Sequence, residues 1–358
     1  MYRRIISLCV LFSLLTLVCF RAPSLAAAIT EEEQAILEKS LSIIEIDREI
    51  ARIERRQQET ETSVAMLNQQ LAEKDEQIIT SREQAGIRIK AYYMGERESL
   101  LGALLSVDSL RDFFSVLDYY QIIAERDQDI LGTYKTEYSS LKKTKDTLDK
   151  LSNELSDMKE NLLKQRERVA TLQQSVDSSL SASADPDKLQ AMIQELTNYW
   201  ESVGLKEVRK YFHALSLAMS EFPDFLSNHK DSLISVKGGY TLVIREEELN
   251  NFLHDKQDLL RNMSFKFEES KIIAQGSRDG FDLKIEGHYS VENAPDNSIM
   301  FHVDRLIFNG FELPDTTSRE LEKDFDLGFY PKQIVPFIEA TEATITKGIL
   351  TVKLKLSI

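Results

Sequence analysis

The fold is decided by a seven-residue repeat in the stretch 141–176, LKKTKDTLDKLSNELSDMKENLLKQRERVATLQQSV. Apolar residues recur there at every seventh position and again three or four residues later, while charged and polar residues fill the rest. This strict spacing is typical of a coiled-coil seam rather than of a helix that covers a globular core. The predicted seam positions are Leu141, Leu148, Leu155, Leu162, Val169 and Val176, with Leu151, Met158 and Leu172 between them.

An earlier arm carries the same repeat. Its seam positions are Ile43, Ile50, Val64, Leu71 and Ile78, with Ile46, Ile53 and Leu67 three residues later. Neither arm contains proline, which disrupts a helix interior more than any other residue, so we predict two long helices that pair with each other. Three polar residues interrupt the first seam and weaken it, and we therefore predict hinge positions at Gln57, Thr60 and Lys74.

The repeat breaks at residues 92–106, YYMGERESLLGALLS, where two glycines bracket an apolar patch too dense for a seam. The chain is predicted to turn here, which places the tip of a hairpin near residues 93–115. The candidate caps of the helix that follows are Ser106, Asp108 and Ser109. Aromatic residues cluster around this tip, namely Tyr92, Tyr93, Phe113, Phe114, Tyr119 and Tyr120. The cluster has two interpretations: a small core that closes the hairpin, or a surface that docks a partner. The candidate partner-binding residues are Tyr92, Tyr93, Leu101, Leu104, Leu105, Phe113 and Phe114.

The tip also carries a longer motif, R-x-x-A-x-Y-x-x-G, followed by L-x-x-L-L-x-S and by D-F. It is matched at Arg88, Ala91, Tyr92 or Tyr93, Gly95, Leu101, Leu104, Leu105, Ser106, Asp112 and Phe113, with Asp127 beyond. Residues 30 to 180 thereby resemble the coiled-coil domain of murein hydrolase regulators of the PcsB, EnvC and CwlO type. The resemblance implies a regulatory arm that engages the extracytoplasmic part of an FtsEX-type ABC transporter and controls peptidoglycan cleavage, with the tip and seam as the responsive parts.

The N-terminus has the pattern of an export signal. Arg3 and Arg4 precede an uncharged apolar run that ends in the small residues 26–28, AAA, so residues 1–28 are predicted to be a secretory signal peptide. An uncleaved membrane anchor is the alternative, because the apolar run is near the upper length for a signal. A lipoprotein role for Cys19 is disfavoured, since Val18 stands where a small residue is needed. The predicted location is extracytoplasmic: secreted, at the cell surface or periplasmic.

Composition excludes several functions. The 358 residues include 59 Asp and Glu against 44 Lys and Arg, and this net charge of −15 argues against nucleic acid as a partner. Both cysteines lie within the first 20 residues, so the rest of the chain lacks a thiol nucleophile.

Members of the resembled family usually carry a zinc or a cysteine peptidase domain after the hairpin, and this chain departs from that pattern. Its histidines show no zinc-ligand spacing, so we expect no catalytic residues, no metal site and no cofactor. The five are His213, His229, His254, His288 and His302.

The second half of the chain changes character. We predict connecting helices over 185–232, and the first of them is expected to begin with Asp185 as its cap and Pro186 in its first turn. From 233 to 358 we predict a small domain whose period-two alternation indicates antiparallel strands with one solvent-exposed face. Further helices are predicted over 246–255 and from a capping box at 317–320. The predicted fold class is α+β: a long antiparallel coiled-coil hairpin over 29–184, followed by an α+β domain with a mainly antiparallel curved sheet.

Aromatic residues crowd the predicted inner side of this sheet, where they could form either a packed core or a hydrophobic groove. They are Phe265, Phe267, Phe281, Phe301, Phe308 and Phe311. The strand and acidic helix start at 241–250, TLVIREEELN, and the segment 308–314, FNGFELP, resemble YpmS-like exported proteins and, more distantly, lipid-binding TULIP-type domains. That resemblance implies a module that binds an apolar ligand or lies near a membrane.

Two functions follow from these patterns. The leading hypothesis is a noncatalytic exported regulator or scaffold of peptidoglycan hydrolysis, whose partner is a membrane transporter complex or a cell-wall hydrolase. The alternative is an exported lipid- or hydrophobic-ligand-binding module on a coiled-coil spacer. A third class, an enzyme that uses paired carboxylates, has little support because carboxylates are abundant on solvated helix faces.

Overall fold

A computed structural model describes residues 29–95, 102, 105–228, 232–236, 238–278 and 280–357. The chain divides into two compact units, one of residues 47–168 and one that combines the segment up to Ile46 with the segment from Val169 onward. The predicted signal peptide, 1–28, lies outside the described residues. Within the described part, no helix is both long enough and apolar enough to cross a membrane.

Two long helices dominate the first half: α1 spans Glu31–Tyr93 and α2 spans Leu110–Ala182. A capping box starts α1, because the Glu33 amide donates to the Thr30 hydroxyl while the Thr30 amide donates to the Glu33 carboxylate. After α1, Gly95 adopts a φ of +79°, a conformation that glycine reaches at little cost. Ser109 caps α2 by accepting from the Asp112 amide, as one of the predicted caps.

The two helices pair antiparallel within residues 47–168, which confirms the predicted hairpin. In the cross-helix contacts, residue numbers fall along α2 as they rise along α1: Glu54 contacts Arg166, Lys74 contacts Ser140 and Tyr92 contacts Asp127. The seam positions predicted over 50–78 and 141–162 are buried or half-buried, while most intervening residues are exposed. The seven-residue pattern therefore located the seam correctly over these stretches. Tyr138, which was expected to extend the second seam upstream with Leu131 and Tyr134, is 52% exposed.

Shorter helices follow the hairpin: α3 spans Pro186–Tyr199, α4 Leu205–Ser220 and α5 Phe222–Asn228, with a π-helical turn at Trp200–Gly204. Asp185 caps α3 through its carboxylate, which accepts from the Lys188 amide at 3.1 Å, and Pro186 occupies the first turn. Both features match the prediction. Trp200 is fully buried at the turn that joins α3 to α4.

The C-terminal half contains two antiparallel sheets. Nine strands form them: β1 Leu233–Val236, β2 Gly239–Arg245, β3 Met263–Glu268, β4 Lys271–Arg278, β5 Phe281–Glu292, β6 Ser298–Phe308, β7 Phe311–Glu312, β8 Ile338–Thr346 and β9 Ile349–Leu356. One sheet has the order β1-β2-β9-β8 and the other the order β3-β4-β5-β6-β7. The helices here are α6 Glu246–Lys256, α7 Asp315–Asp324 and α8 Pro331–Ile334, with a 3₁₀ turn at Asp258–Asn262.

The predicted α+β class is thus confirmed, with antiparallel strands, but the strands form two sheets where one curved sheet was expected. Strand β2 pairs along its whole length with β9, about a hundred residues later in the chain, and alternation within a strand carries no information about so distant a partner. The predicted start of α7 was wrong. The helix begins at Asp315 after Pro314, so Thr317 lies in its first turn and its hydroxyl donates elsewhere.

The sheets and the short helices enclose one hydrophobic core. Its largest fully buried side chains are Trp200, Tyr211, Phe212, Phe222, Phe267, Phe308 and Phe329. The first turns of α1 belong to the same unit, because Leu41 packs in this core and the buried Glu45 carboxylate accepts from Trp200 Nε1 at 2.6 Å and Thr317 Oγ1 at 2.8 Å. The base of the hairpin is therefore a structural part of the C-terminal unit.

Candidate partner-binding site at the hairpin tip

Large apolar side chains at the tip lie in solvent. Tyr93 is 91% exposed, Leu105 84% and Phe114 60%, and Phe113 is half-buried beside Phe114 in an edge-to-face contact with ring centroids 5.7 Å apart. The predicted residues Leu101 and Leu104 lie outside the described residues. In the described part of the tip, Tyr93, Leu105 and Phe114 are not packed into a core.

Other exposed apolar residues extend this surface. Sequence reasoning included Tyr119 in the aromatic cluster but missed Met94, Leu110 and Ile122, which are also exposed. Helical spacing in the sequence could have indicated Leu110 and Ile122, because they lie four residues before and eight residues after Phe114 and so share a face of α2 with it. That face is separate from the seam. We call Tyr93, Met94, Leu105, Leu110, Phe114, Tyr119 and Ile122 the apolar tip surface.

Behind this surface, α1 and α2 leave a groove of about 510 Å³ between them. Both helices contribute its lining, which mixes apolar, aromatic and charged side chains. The residues are Arg88, Ala91, Tyr92, Tyr120, Ile123, Ala124, Asp127, Gln128, Leu131, Gly132 and Lys135. We call this cavity the tip groove. Of the predicted partner-binding residues, Tyr92 contributes to it.

Asp127 is the polar centre of the tip groove. It is 7% exposed, its Oδ2 accepts from the Tyr92 hydroxyl at 3.0 Å, and its Oδ1 lies 3.2 Å from Arg88 Nε. The guanidinium offsets the carboxylate charge, but Oδ1 receives no aligned hydrogen bond from the described residues. Arg88, Tyr92 and Asp127 all belong to the stretch that carries the resemblance to the hydrolase regulators, and the fold brings them together from two helices.

The three predicted hinge residues lie on the shaft of the hairpin. Lys74 reaches across the seam and its ammonium donates to Ser140 Oγ at 2.9 Å and Thr144 Oγ1 at 2.8 Å. Thr60 is buried in the seam, whereas Gln57 donates along its own helix to Glu61. Polar side chains therefore do interrupt the apolar seam, and their role as a hinge stays a prediction.

A second polar cluster lies on β5 and β6, where His288 and His302 face each other across the ladder. His288 Nδ1 lies 3.0 Å from the Asp304 carboxylate, and His302 Nε2 lies 2.8 Å from Ser290 Oγ. Period-two alternation places both histidines on the polar face of their strands, where the two rings are partly exposed and have polar neighbours. Among the described residues, no group of three or more His, Asp or Glu side chains is placed to hold a metal ion.

The aromatic inner side of the sheets is packed rather than open. Phe308 contacts Tyr199, Trp200 and Phe281, with ring centroids 4.9 to 5.9 Å apart. An apolar cavity between helices α4 and α6 and strands β3 to β6 measures about 40 Å³. Ligand pockets typically measure about 300 to 1,000 Å³, so this cavity does not favour the lipid-binding alternative.

Comparison with family models, with curated proteins and with solved structures finds no match to this chain. The assignment of a site at the tip therefore rests on exposure, charge and geometry.

Proposed function

We propose that this protein is a noncatalytic exported adaptor whose helical hairpin docks through its tip on a protein partner and thereby regulates peptidoglycan hydrolysis. The observation that carries the proposal is the apolar tip surface, where Tyr93, Leu105 and Phe114 are exposed in a water-surrounded part of the hairpin. Contiguous apolar patches on soluble proteins mark interaction sites, and aromatic side chains dominate binding energy at such sites.

The composition of the tip favours a protein partner over an anionic membrane or a nucleic acid. Acidic and basic residues are mixed along this part of the sequence, and the whole chain has a net charge of −15. Binding to phosphate-rich surfaces depends on clustered Lys and Arg, which this tip lacks. An apolar patch among mixed charges is typical of a protein interface with a polar rim.

The identity of the partner comes from the resemblance alone. The tip motif, which includes Arg88, Tyr92 and Asp127, resembles that of murein hydrolase regulators, so the partner is a membrane transporter complex of the FtsEX type or a cell-wall hydrolase. The export signal predicted over 1–28 would place the hairpin on the side of the membrane where the wall lies.

In-cell photo-crosslinking tests this proposal. A benzophenone amino acid replaces Tyr93 or Phe114 in the full chain, and the matched control places it at Tyr138, an exposed aromatic residue on the shaft of α2. We expect one protein to be crosslinked from both tip positions and not from Tyr138, and mass spectrometry identifies it. The same adducts from all three positions, or none from the tip, would contradict tip docking.

A complementary experiment uses the double variant Phe113→Ala/Phe114→Ala in a pull-down with the extracytoplasmic part of the FtsEX-type transporter. Loss of two neighbouring aromatic anchors should weaken binding by at least about tenfold, since single hot-spot residues contribute about 2 kcal/mol or more. Both side chains lie outside the buried core, so the fold should persist. Equal binding by wild type and variant would contradict the proposal that Phe113 and Phe114 bind this transporter.

A further inference from the structure

Side chains cover the outer edge of strand β3, which is an edge strand of its sheet. Asn250 Oδ1 accepts from the Phe265 amide at 2.9 Å, and Asn250 Nδ2 donates to the Phe265 carbonyl at 2.7 Å. The Glu246 carboxylate accepts from the Phe267 amide at 2.7 Å. These side chains of α6 thus occupy the backbone groups that a further strand would use.

Two other sheet edges are covered in the same way. On β8, Asn297 Oδ1 accepts from the Ala340 amide at 2.7 Å and Asn297 Nδ2 donates to the Ala340 carbonyl at 3.0 Å, next to a β-bulge. On β7, the Glu38 carboxylate of α1 accepts from the Glu312 amide at 3.3 Å. Covered edges and bulges prevent a sheet from pairing with another chain.

Strand β1 forms the remaining edge and lacks such a cover. Beyond its ladder with β2, no hydrogen bond of Leu233–Val236 is made to any described residue. The strand has no proline, charged residue or bulge. Ile234 and Val236 are 51% and 46% exposed, whereas Leu233 packs against the hydrophobic core. An uncovered edge with apolar side chains is a template for a further strand.

The register of the β1–β2 hairpin shows which backbone groups point outward. Val236 pairs with Gly239 across a two-residue loop, and the pair that closes such a loop exchanges hydrogen bonds. Exchanging and non-exchanging pairs alternate in an antiparallel ladder, so Leu233 and Ser235 direct their amide and carbonyl groups away from β2. The edge therefore fits an extended strand, whereas a helix already uses its backbone groups internally.

We propose that β1 pairs with β1 of a second copy of this chain, antiparallel about a twofold axis at Ile234, and so joins the two four-stranded sheets. In this register Leu233 of each copy lies opposite Ser235 of the other, which satisfies all the outward backbone groups of both strands. Ile234 lies opposite its counterpart in a non-hydrogen-bonded pair, where side chains approach most closely. The proposal is separate from tip docking, because β1 belongs to the other compact unit.

The strand itself supplies the reason for a second copy as the occupant. A twofold interface needs a self-complementary surface, and Leu233 and Ser235 place the same outward backbone groups on either side of Ile234. Because β1 has no charged side chain, the pairing brings no like charges together within the strands, although each copy has a net charge of −15. The interface is short, so we expect a dimer that dissociates on dilution.

Disulfide trapping of the full chain in cells tests this pairing. With Cys9→Ser and Cys19→Ser in every variant, Ile234→Cys introduces the only thiol. In the proposed register its Cα lies about 4.5 Å from that of the second copy, a distance that a disulfide spans. The matched control is Ile349→Cys, because Ile349 is also an exposed isoleucine on the same face of this sheet but lies on the interior strand β9.

After oxidation with diamide, Ile234→Cys should give at least about tenfold more disulfide-linked dimer than Ile349→Cys, because only a paired position holds two thiols within disulfide reach. Mass spectrometry should identify two joined β1 peptides. Equal yields at the two positions, no dimer from Ile234→Cys, or a disulfide from Ile234→Cys to a different protein would each overturn the proposal.

A second comparison tests the backbone pairing itself. Ser235→Pro removes an outward amide but leaves the β1–β2 ladder its bonds, since proline is tolerated where the N–H faces away from the neighbouring strand. Combined with Ile234→Cys, it should lower the dimer yield at least about tenfold, because two hydrogen bonds per dimer are lost. Ser235→Ala keeps the amide and should leave the yield within about twofold.

Circular dichroism verifies that both Ser235 variants are folded. A yield that Ser235→Pro leaves unchanged would show that β1 does not pair through its backbone and would overturn the proposal. If Ser235→Pro does not fold, the comparison of Ile234→Cys with Ile349→Cys decides alone.

Discussion

The two compact units use their apolar residues in different ways. In the unit that contains the sheets, aromatic side chains such as Trp200, Phe267 and Phe308 are completely buried against one another. In the unit of residues 47–168, the buried apolar side chains of the described part are few, namely Ile53, Ile78, Ala85 and Leu162, while many apolar residues of the tip face solvent. One unit buries its aromatic residues in a core, and the other leaves several of them exposed to solvent at the tip.

This difference follows from geometry. A two-helix seam buries one narrow stripe per helix, so even its central residues keep part of their surface in water. Two sheets with covering helices surround each core residue on all sides. We therefore expect the hairpin to exchange its amide protons by local opening at lower free energy than the sheets do.

Trp200→Ala should have the largest effect on stability. The indole is fully buried, packs edge-to-face on Phe308 at 4.9 Å and donates to the buried Glu45 carboxylate. Loss of the ring leaves a cavity and removes one donor from Glu45, so unfolding free energy should fall by about 4 kcal/mol or more. Chemical denaturation followed by near-ultraviolet circular dichroism measures it. As control, Tyr93→Ala should change stability by less than about 0.5 kcal/mol.

The same truncation should have unequal effects in the two units. Leu283→Ala removes a fully buried side chain from β5, whereas Leu162→Ala removes a seam residue of the hairpin. The first should lower stability by about 3 kcal/mol and the second by about 1 to 2 kcal/mol, since the seam is open to water on two sides. Hydrogen exchange resolved by segment separates the two units. Equal losses would contradict the proposed contrast.

Stability should depend on the protonation of Glu286. The hydrogen bond from Lys284, together with the charges of Lys271 and Arg305, lowers the pKa of this carboxyl below its ordinary value of 4.5. A group whose pKa is lowered by folding stabilises the native state above its unfolded pKa, and that stabilisation is lost as pH falls through the folded pKa.

Glu286→Gln tests this dependence. At pH 7 the variant should be less stable by about 1 to 2 kcal/mol, the contribution of a hydrogen bond to a charged group, and the difference should shrink progressively below pH 4.5. Thermal melts between pH 2.5 and 7 measure it. A constant difference over that range would show that the loss is due to packing rather than charge.

Lys74→Leu should stabilise the hairpin. The ammonium of Lys74 sits in the seam with two hydroxyl partners, and a polar residue at a seam position costs stability while it specifies register. An apolar replacement should raise the stability of this unit by about 1 kcal/mol. The control, Lys142→Leu, changes an exposed lysine outside the seam. If Lys74→Leu destabilised the hairpin, Lys74 would be a net stabilising contact and not a weak point suited to a hinge.

The smallest predicted effects concern the two helical glycines. Gly86→Ala and Gly132→Ala should each stabilise their helix by about 0.5 to 1 kcal/mol, because alanine has less backbone entropy to lose and its Cβ has free space at both positions. Segment-resolved hydrogen exchange of the full chain measures both. A destabilising effect at Gly132 alone would contradict the open space around its Cα.

The sequence predicted the elements better than their partners. Seam residues such as Leu141 and Ile78 were recognisable because a coiled coil repeats its spacing over many turns. The caps at Asp185 and Ser109 were also recognisable, since capping involves neighbours in the chain. The pairing of β2 with β9 was not, because no local pattern encodes a contact between residues a hundred positions apart.

The candidate site shows the same division. Its aromatic residues were predicted because an apolar cluster between two glycines stands out in a heptad sequence, and Tyr93 and Phe114 are indeed exposed. The groove behind them was not predicted. Gly132 and Lys135 have no distinctive spacing, and they become parts of a site only because α1 is opposite them.

By itself, the sequence determined that this protein is a long two-helix hairpin followed by an antiparallel α+β domain, since heptad and period-two patterns are properties of single helices and strands. The tertiary structure decided which polar groups meet. It buried Glu45 between Trp200 and Thr317, and it placed Asp127 beside Arg88 and Tyr92 from the other helix. Such contacts depend on how whole elements dock, and that docking arises from packing over many residues rather than from any local stretch.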